Sequence, residues 1–192
     1  GLAFSVVILA GPTGSGKSHL TNIWAAKTGA RAITANAGDD AAMEAATKGP
    51  VFIEDIDRTG FNDTALFHLI NTVRSHNHSL LMTSRLWPAA WNVTLPDLAS
   101  RLKAATTVEI GEPDDELLAQ VLVKLFADRQ ITADERVVSY LVARMERSLD
   151  AARTIVARLD GLALARKVKI SRQLAAEVLA EEDGREHDTE LS

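Results

Sequence analysis

The fold of this chain is decided by residues 5–20, SVVILAGPTGSGKSHL. A run of β-branched and apolar residues leads into a loop with three glycines, and a helical pattern follows. The loop matches the pattern G-x-x-x-x-G-K-[ST] at Gly11, Gly16, Lys17 and Ser18. This pattern binds phosphate when it joins a strand to a helix, and both elements are predicted here. We therefore predict a phosphate-binding loop, or P-loop.

The chemistry of such a loop follows from its backbone. Glycines let the chain curl so that several N–H groups face a phosphate, and the N-terminus of the next helix adds a favourable potential. Lys17 is predicted to reach the β- and γ-phosphates, and the Ser18 hydroxyl to bind Mg²⁺. A glycine-rich turn without a ligand is the alternative. The predicted nucleotide-binding residues of the loop are Pro12, Thr13, Gly14, Ser15, Gly16, Lys17, Ser18 and His19.

Short apolar runs alternate with helical patterns as far as residue 111, which is typical of a parallel α/β sheet. These runs show little polar alternation, as expected for strands covered on both faces. We therefore predict an α/β fold, a three-layer αβα P-loop core with a five-stranded parallel sheet. The predicted strands are 5–10, 31–35, 51–55, 79–84 and 106–110, and the predicted helices lie near 17–28, 39–47, 63–75 and 96–103.

After residue 111 the sequence predicts helices alone. Pro113 suits the first turn of a helix, and Thr132 with Glu135 forms a capping-box pattern. Ser148 and Ser171 can cap two further helices. The predicted domains are a P-loop nucleotide-binding unit over 1–111, a helical lid over 112–180 and a flexible acidic tail over 181–192.

Two acidic residues follow an apolar run in VFIEDID, residues 51–57. We expect this strand to lie beside the P-loop strand, with both acids at the carboxyl edge of the sheet, where open α/β sheets bind ligands. Glu54 is predicted to face Mg²⁺, and Asp55 to polarise the attacking water close to the metal. The usual order of Asp and Glu is reversed, and a misplacement on the order of 1 Å can cost roughly 100-fold in rate. Nucleotide binding is thus expected to survive, whereas hydrolysis is expected to be weak. Asp57 is interpreted as a turn residue.

Four further positions are candidates for contact with phosphate. Thr83 and Ser84 end the fourth predicted strand, where a side chain can contact a γ-phosphate or orient water. Arg101 precedes the last strand and could reach a nucleotide on a neighbouring subunit, although an ordinary surface arginine is the simpler interpretation. Arg153 could cover the phosphates from the third helix of the lid, and a solvated helix face is its alternative.

Composition limits the function classes. The net charge is −5, but residues 181–192 hold six acidic residues and one arginine, which leaves 20 acidic and 20 basic residues elsewhere. A neutral body argues against a DNA-binding protein, which normally shows a basic footprint. The absence of cysteine excludes disulfides and thiolate metal sites. No apolar run approaches the roughly 20 residues of a membrane span, and a signal peptide is not expected.

Four segments together are more specific than the P-loop. GPTGSGKSHL, VFIEDID, LLMTSRLWP and PDLASRL, followed by four predicted helices, resemble the AAA+ module of the bacterial replication initiator DnaA family over residues 4–180. Within that family the chain is most similar to the Hda group, regulatory inactivators of DnaA. The resemblance implies that residues 83–85 are sensor I and that Arg101 is an arginine finger presented to the nucleotide of DnaA. It also implies that Gly14 to Ser18 hold ADP or ATP with Mg²⁺.

The resemblance further implies partners. Hda-type proteins associate with the DNA-loaded polymerase sliding clamp and promote hydrolysis of the ATP held by DnaA, so both are expected partners of a cytoplasmic, replisome-associated protein. The clamp-binding peptide of that group is not among these 192 residues. Sequence-specific DNA binding is not expected, and a homo-oligomer stays open. Two positions depart from the family, because DnaA has Asp-Asp where this chain has Glu54-Asp55, and the sensor II arginine aligns with Asp150. Arg153, one turn on, could substitute for it.

Two other functions compete with this interpretation. An autonomous AAA+ ATPase would turn over ATP alone, and a fragment of a DnaA-like initiator would bind duplex DNA.

Overall fold

A computed structural model describes residues 6–36, 38, 40–132 and 134–189 of this chain, with side chains as far as Glu181. The chain divides into two compact units, residues 1–111 and residues 112–192. The first is called the sheet unit and the second the helical unit.

The sheet unit contains five parallel strands in the order β2-β3-β4-β1-β5. Their β-branched and aliphatic side chains suit a sheet covered on both faces. The alignment of β1, β4 and β3 pairs Ile8 with Met82, and Met82 with Ile53. The strands are β1 Val6–Ala10, β2 Arg31–Ala32, β3 Val51–Ile53, β4 Leu80–Ser84 and β5 Thr106–Glu109.

The sheet order corrects one prediction. The strand that precedes the acidic pair does not lie beside the P-loop strand, because β4 separates β3 from β1. The carboxyl end of β4, with Thr83 and Ser84, is therefore placed between the P-loop and the acidic residues. Two predicted strands are also shorter than expected. β3 ends at Ile53, so Glu54 and Asp55 lie just beyond it, and β2 ends at Ala32.

Helices cover both faces of the sheet. Leu66, Leu69 and Ile70 pack from one side onto a core that includes Ile8 and Met82. On the other side α1 lies over β1 and β4, where Leu20 and Trp24 line a cavity with Val7, Leu9 and Leu81. The helices are α1 Lys17–Thr28, α2 Asp40–Lys48, α3 Ile56–Thr59, α4 Asp63–Ser75 and α5 Pro96–Lys103, with a 3₁₀ turn at Pro88–Ala90. The sequence analysis did not find α3 or the 3₁₀ turn.

The helical unit consists of four helices around its own apolar core. Leu118, Leu122 and Phe126 of the first helix are fully buried against Leu141 and Val156. The helices are α6 Asp115–Ala127, α7 Glu135–Val142, α8 Leu149–Arg166 and α9 Arg172–Thr189. The predicted acidic tail begins within α9, whose backbone stays helical to Thr189.

Side-chain caps begin these helices. Ser148 accepts from Ala151 N at 3.2 Å, and Ser171 accepts from Leu174 N at 3.3 Å, which confirms both predicted caps. The capping box predicted for α7 is wrong, because Asp134 and not Thr132 accepts from the first turn, at 2.8 Å from Arg136 N. Pro113 precedes α6, whose cap is Asp114. In the described part of the chain, no helix is both long and apolar enough to cross a membrane.

Candidate functional site

The P-loop starts at a glycine that no other residue can replace. The N–H of Gly11 donates to the carbonyl of Ser84 at 3.1 Å, which attaches the loop to β4. A Cβ on Gly11 would lie 2.0 Å from the carbonyl oxygen of Ile110. Because that oxygen belongs to the backbone beyond β5, it cannot rotate out of the way. The close approach of two strand ends therefore requires glycine here.

The loop then turns back toward its own lysine. Gly14 and Gly16 have φ angles of 73° and 97°, and Gly16 forms the N-cap of α1. The ammonium group of Lys17 donates to the carbonyls of Gly11 at 2.7 Å and Pro12 at 2.6 Å. It lies 3.3 Å from Oγ of Ser15. The loop therefore combines the N-terminal end of a helix with a nearby ammonium. This combination suits a phosphate chain.

The predicted loop residues divide into an inner and an outer set. Ser15 and Lys17 are buried, at 7% and 6% exposure. The outer set, Pro12, Thr13, Ser18 and His19, is exposed. The inner set shapes the loop, and the outer set remains accessible to a ligand.

Asp55 has an uncommon backbone conformation at the end of β3. Its φ and ψ angles are 47° and 48°, in the left-handed region that costs on the order of 1–3 kcal/mol for a residue with a Cβ. Its N–H donates to Oγ1 of Thr83 at 2.8 Å, and its carbonyl accepts from Arg58 N and Thr59 N at 2.8 and 2.9 Å. These bonds stabilise a reversal of the chain directly after Glu54. In the described structure the carboxylate of Asp55 has no hydrogen-bond partner.

Glu54 carries an unpartnered buried oxygen. Among the side-chain atoms that the structure describes, its Oε1 is buried without a hydrogen-bond partner. A buried carboxylate oxygen in this state carries a desolvation cost of at least about 1–3 kcal/mol, which a cation would offset. Mg²⁺ prefers one or two carboxylates together with hydroxyl, water and phosphate oxygens. The residues at this edge therefore fit Mg²⁺, which Glu54, Asp55 and Ser18 would hold and which would neutralise phosphate charge.

The two hydroxyls at the end of β4 differ in their surroundings. Thr83 is fully buried and accepts the bond from Asp55, so it connects β4 to the acidic pair. Ser84 is also fully buried, and its Oγ donates to Leu86 O at 2.7 Å while accepting from Leu86 N and Trp91 Nε1 at 3.1 Å. The Ser84 hydroxyl thus holds the following loop, and this geometry does not support its predicted contact with a γ-phosphate.

A pair that the sequence analysis missed lies beside Thr83. Asp57, in the first turn of α3, accepts from Arg85 N at 3.2 Å and from Arg85 Nε at 3.3 Å. Its side chain is 3% exposed and that of Arg85 is 44% exposed. The carboxylate of Asp57 therefore binds both the backbone N–H and the guanidinium of Arg85, the residue after β4. The only signal in the sequence is that an acid and an arginine each follow a strand end by a few residues.

Arg101 lies in the last turn of α5 and is partly buried. No carboxylate pairs with it within the described residues. The start of the same helix is held by Asp63, whose Oδ2 accepts from Thr94 N, Thr94 Oγ1 and Leu95 N at 2.7, 2.8 and 2.8 Å. Burial acts to raise the pKa of Asp63, but the hydrogen bonds from Thr94 and Leu95 outweigh it and hold the pKa below its ordinary value. The orientation of α5, and with it Arg101, thus depends on a carboxylate of α4.

Arg153 lies on α8, in the helical unit. Its Nη1 is 3.2 Å from Oδ1 of Asp150, one turn earlier on the same helix. Asp150, which the sequence analysis aligned with the sensor II arginine, is therefore the acid that pairs with Arg153, the residue predicted to substitute for that arginine. This ion pair is solvent-exposed on both sides and weak, so it leaves the role of Arg153 in nucleotide binding a prediction.

The chain was compared with known proteins. No protein-family model and no curated protein matches it. Among solved structures, domain III of the Thermotoga maritima replication initiation protein DnaA has a TM-score of 0.75 at 17% identity, over 93% of this chain and 84% of that one. AMPPCP-bound DnaA from Aquifex aeolicus has a TM-score of 0.66 at 18% identity, over 85% and 59%. The Holliday junction branch migration motor RuvB of Thermotoga maritima has a TM-score of 0.70 at 17% identity, over 92% and 61%.

These similarities confirm the predicted fold class. The parallel five-stranded sheet with helices on both faces is a three-layer α/β fold that this chain shares with these DnaA and RuvB structures. The chain spans about three fifths of the Aquifex aeolicus DnaA and of RuvB. At identities of 17–18% the likeness shows the fold alone.

Proposed function

We propose that this chain is an adenine-nucleotide-binding AAA+ module that regulates the initiation of DNA replication by promoting hydrolysis of the ATP held by DnaA. The observation that carries the proposal is the unpartnered Oε1 of Glu54 at the sheet edge that also holds the P-loop. A buried carboxylate oxygen without a partner, at the same sheet edge as a helix N-terminus and a lysine, is the arrangement that a magnesium-bound nucleotide would complete.

Nucleotide binding is the first step to test. Calorimetric titration with ADP and with ATP, each with Mg²⁺, should give one site per chain, and Lys17→Ala should abolish the heat. Lys27→Ala is a matched control, since Lys27 lies in the last turn of the same helix. Absence of heat from a well-folded wild-type protein would end the proposal.

The DnaA-like AAA+ fold supports a role in replication, because two of the similar structures are replication initiators. The finer role as a regulator comes from the sequence resemblance to the Hda group and from Arg101. This guanidinium has no carboxylate partner among the described residues, and it lies on a helix whose start Asp63 holds. An unpaired arginine on a firmly held helix can neutralise charge that develops on another subunit's nucleotide.

The regulatory step is tested with purified DnaA. The nucleotide-loaded protein should accelerate the loss of ATP from DnaA in the presence of the sliding clamp on DNA, and Arg101→Ala should lower this acceleration about 10³-fold or more. Lys103→Ala removes a charge from the same helical turn and should have little effect. A fully active Arg101→Ala protein would refute the arginine-finger assignment. The proposal also includes association with the sliding clamp and a cytoplasmic location at the replisome, and it leaves room for a homo-oligomer.

An autonomous ATPase is a second candidate, favoured by the bond between Asp55 and Thr83. The backbone N–H of Asp55 donates to Oγ1 of Thr83, so the acidic residue and the strand-end hydroxyl belong to one loop contact. Such a contact beside a bound nucleotide would support ATP hydrolysis by this chain alone. The candidate expects measurable phosphate release by the isolated protein, reduced by Asp55→Asn. An undetectable basal rate, together with intact nucleotide binding, would rule it out and leave the regulatory role in place.

A further inference from the structure

An arginine–tyrosine cluster on the helical unit has no part in the proposed function. It consists of Arg136, Tyr140, Arg144 and Arg172. The first three residues are spaced four apart and lie on one face of α7 and the turn that follows it. The guanidinium carbon of Arg144 lies 4.2 Å from the centroid of the Tyr140 ring, and that of Arg172, at the start of α9, lies 4.8 Å from it.

The charges of this cluster are not neutralised by neighbouring acids. All three arginines are exposed, and none forms an ion pair with a described residue. Glu135 lies in the same open cleft of about 420 Å³, so the local charge stays positive by two. The contrast within the unit is clear, since its other described arginines pair with carboxylates: Arg129, Arg147, Arg153, Arg158 and Arg166.

The stacking defines the kind of ligand. A guanidinium held over an aromatic ring loses little further freedom when it binds, and its N–H edges stay available for a second partner. A planar fork of N–H groups fits the two oxygens of a phosphate. The ring of Tyr140 is already covered by two arginines, so it orients them and does not offer a platform for a base. The cluster is therefore built for phosphate groups and not for the bases of a nucleic acid.

We propose that the arginine–tyrosine cluster binds the phosphodiester backbone of duplex DNA without reading its sequence. Arg136 and Arg144 are eight residues apart, about 12 Å along a helix, and Arg172 shares the Tyr140 ring with Arg144. The three guanidiniums can therefore contact neighbouring phosphates of one strand. The proposal goes beyond the regulatory function, which rests on protein contacts. The neutral charge of residues 1–180 argued against DNA binding, and the proposal limits that argument. A local surplus of positive charge can bind a phosphate backbone even when those residues together are neutral.

The salt dependence of DNA binding tests this proposal. Fluorescence anisotropy of a labelled 20-base-pair duplex of arbitrary sequence is measured with the nucleotide-loaded protein between low and moderate salt. Each phosphate contact on duplex DNA contributes about 0.9 to the slope of log K against log salt, so three contacts should give a slope of about −2.7. A second duplex of unrelated sequence should bind equally well.

Substitutions then assign the contacts. Arg136→Ala, Arg144→Ala and Arg172→Ala should each lower the magnitude of the slope by about 0.9. Arg166→Ala and Lys124→Ala are matched controls, because each removes one exposed positive charge that is already paired. Tyr140→Phe should keep the affinity, whereas Tyr140→Leu should weaken it roughly two- to fivefold by releasing the two guanidiniums. Thermal unfolding of each variant verifies that it is folded.

Three results would overturn the proposal. The first is no binding of the duplex at low salt by the folded protein. The second is an equal loss of slope in the control variants, which would indicate net charge and not this cluster. The third is binding of poly-L-glutamate as tight as that of DNA, which would assign the cluster to an acidic protein surface. Failure of the regulatory assay would leave this measurement unaffected, since no DnaA is present.

Discussion

The backbone N–H of Asp55 donates a 2.8 Å hydrogen bond to Oγ1 of Thr83. The bond joins the residue beyond β3 to the buried end of β4, and it helps to hold Asp55 at a φ angle of 47°. Glu54, just before this reversal, has a buried carboxylate oxygen, and Glu54 and Asp55 are both partly exposed as residues. One threonine therefore helps to hold the backbone that carries both acids.

Replacement of this threonine should destabilise the sheet unit. Thr83→Val keeps the shape of the side chain but leaves the N–H of Asp55 without an acceptor, which should cost about 1–3 kcal/mol. Urea unfolding measures the change. Thr83→Ser retains the hydroxyl and should recover most of the loss. Equal stability of the valine variant and the wild-type protein would show that the bond does not hold the loop.

Gly11→Ala should disrupt the P-loop. The added Cβ would lie 2.0 Å from Ile110 O, so a strand end must move, at a cost of about 1–3 kcal/mol, and nucleotide binding should be lost. Gly49→Ala is the control, because its Cβ would meet nothing within 4 Å. Thermal unfolding and calorimetry with ADP measure the two effects. An alanine variant that still binds ADP would contradict the observed packing of the loop.

Glu54→Gln should separate the role of the metal from that of the P-loop. Removal of a buried charge that has no partner should not lower stability without ligand, whereas the stabilisation by nucleotide with Mg²⁺ should fall. A tenfold loss of affinity lowers that stabilisation by about 1.4 kcal/mol at saturating ligand. Thermal shift assays with Mg²⁺ and with EDTA measure the difference. The same magnesium-dependent shift in Glu54→Gln as in the wild-type protein would exclude Glu54 from the metal site.

Asp63 should make the stability of the sheet unit sensitive to acid. Its folded pKa lies below the ordinary value of 3.8, so its contribution is fully present above about pH 4 and is lost as the pH falls through the folded pKa. Asp63→Ala should cost about 1 kcal/mol at neutral pH through the lost hydrogen bonds and should flatten the dependence of unfolding on pH in this acid range. Urea unfolding between pH 3 and pH 7 measures both effects.

Asp97→Ala is the matched control for this experiment, since Asp97 is exposed in the first turn of α5, the helix whose start Asp63 holds from α4. It should leave the pH dependence unchanged. A steeper loss of stability at acid pH in Asp63→Ala than in the wild-type protein would contradict the sign of the pKa shift.

Local patterns accounted for the features that depend on neighbouring residues in the chain. The P-loop pattern places Gly16 and Lys17 at the start of α1, and the serines at 148 and 171 cap α8 and α9 as predicted. The capping pattern failed at Thr132 because Asp134, closer to the first turn, supplies a stronger acceptor. The candidate acids were also found, because an apolar run that ends in acids is visible without tertiary information.

Tertiary structure alone decided how these parts meet. The order of β1, β4 and β3 depends on which apolar faces pack together, and sequence distance does not encode it. For the same reason Thr83 became the acceptor for Asp55, Asp57 the partner of Arg85, and Asp63 the acceptor for Leu95 just before α5. Each of these bonds joins residues 28 to 32 positions apart. The sequence by itself determined which chemical groups are available and where helices begin, because those follow from short-range sterics and hydrogen bonds. Their assembly into a site required long-range packing of the sheet.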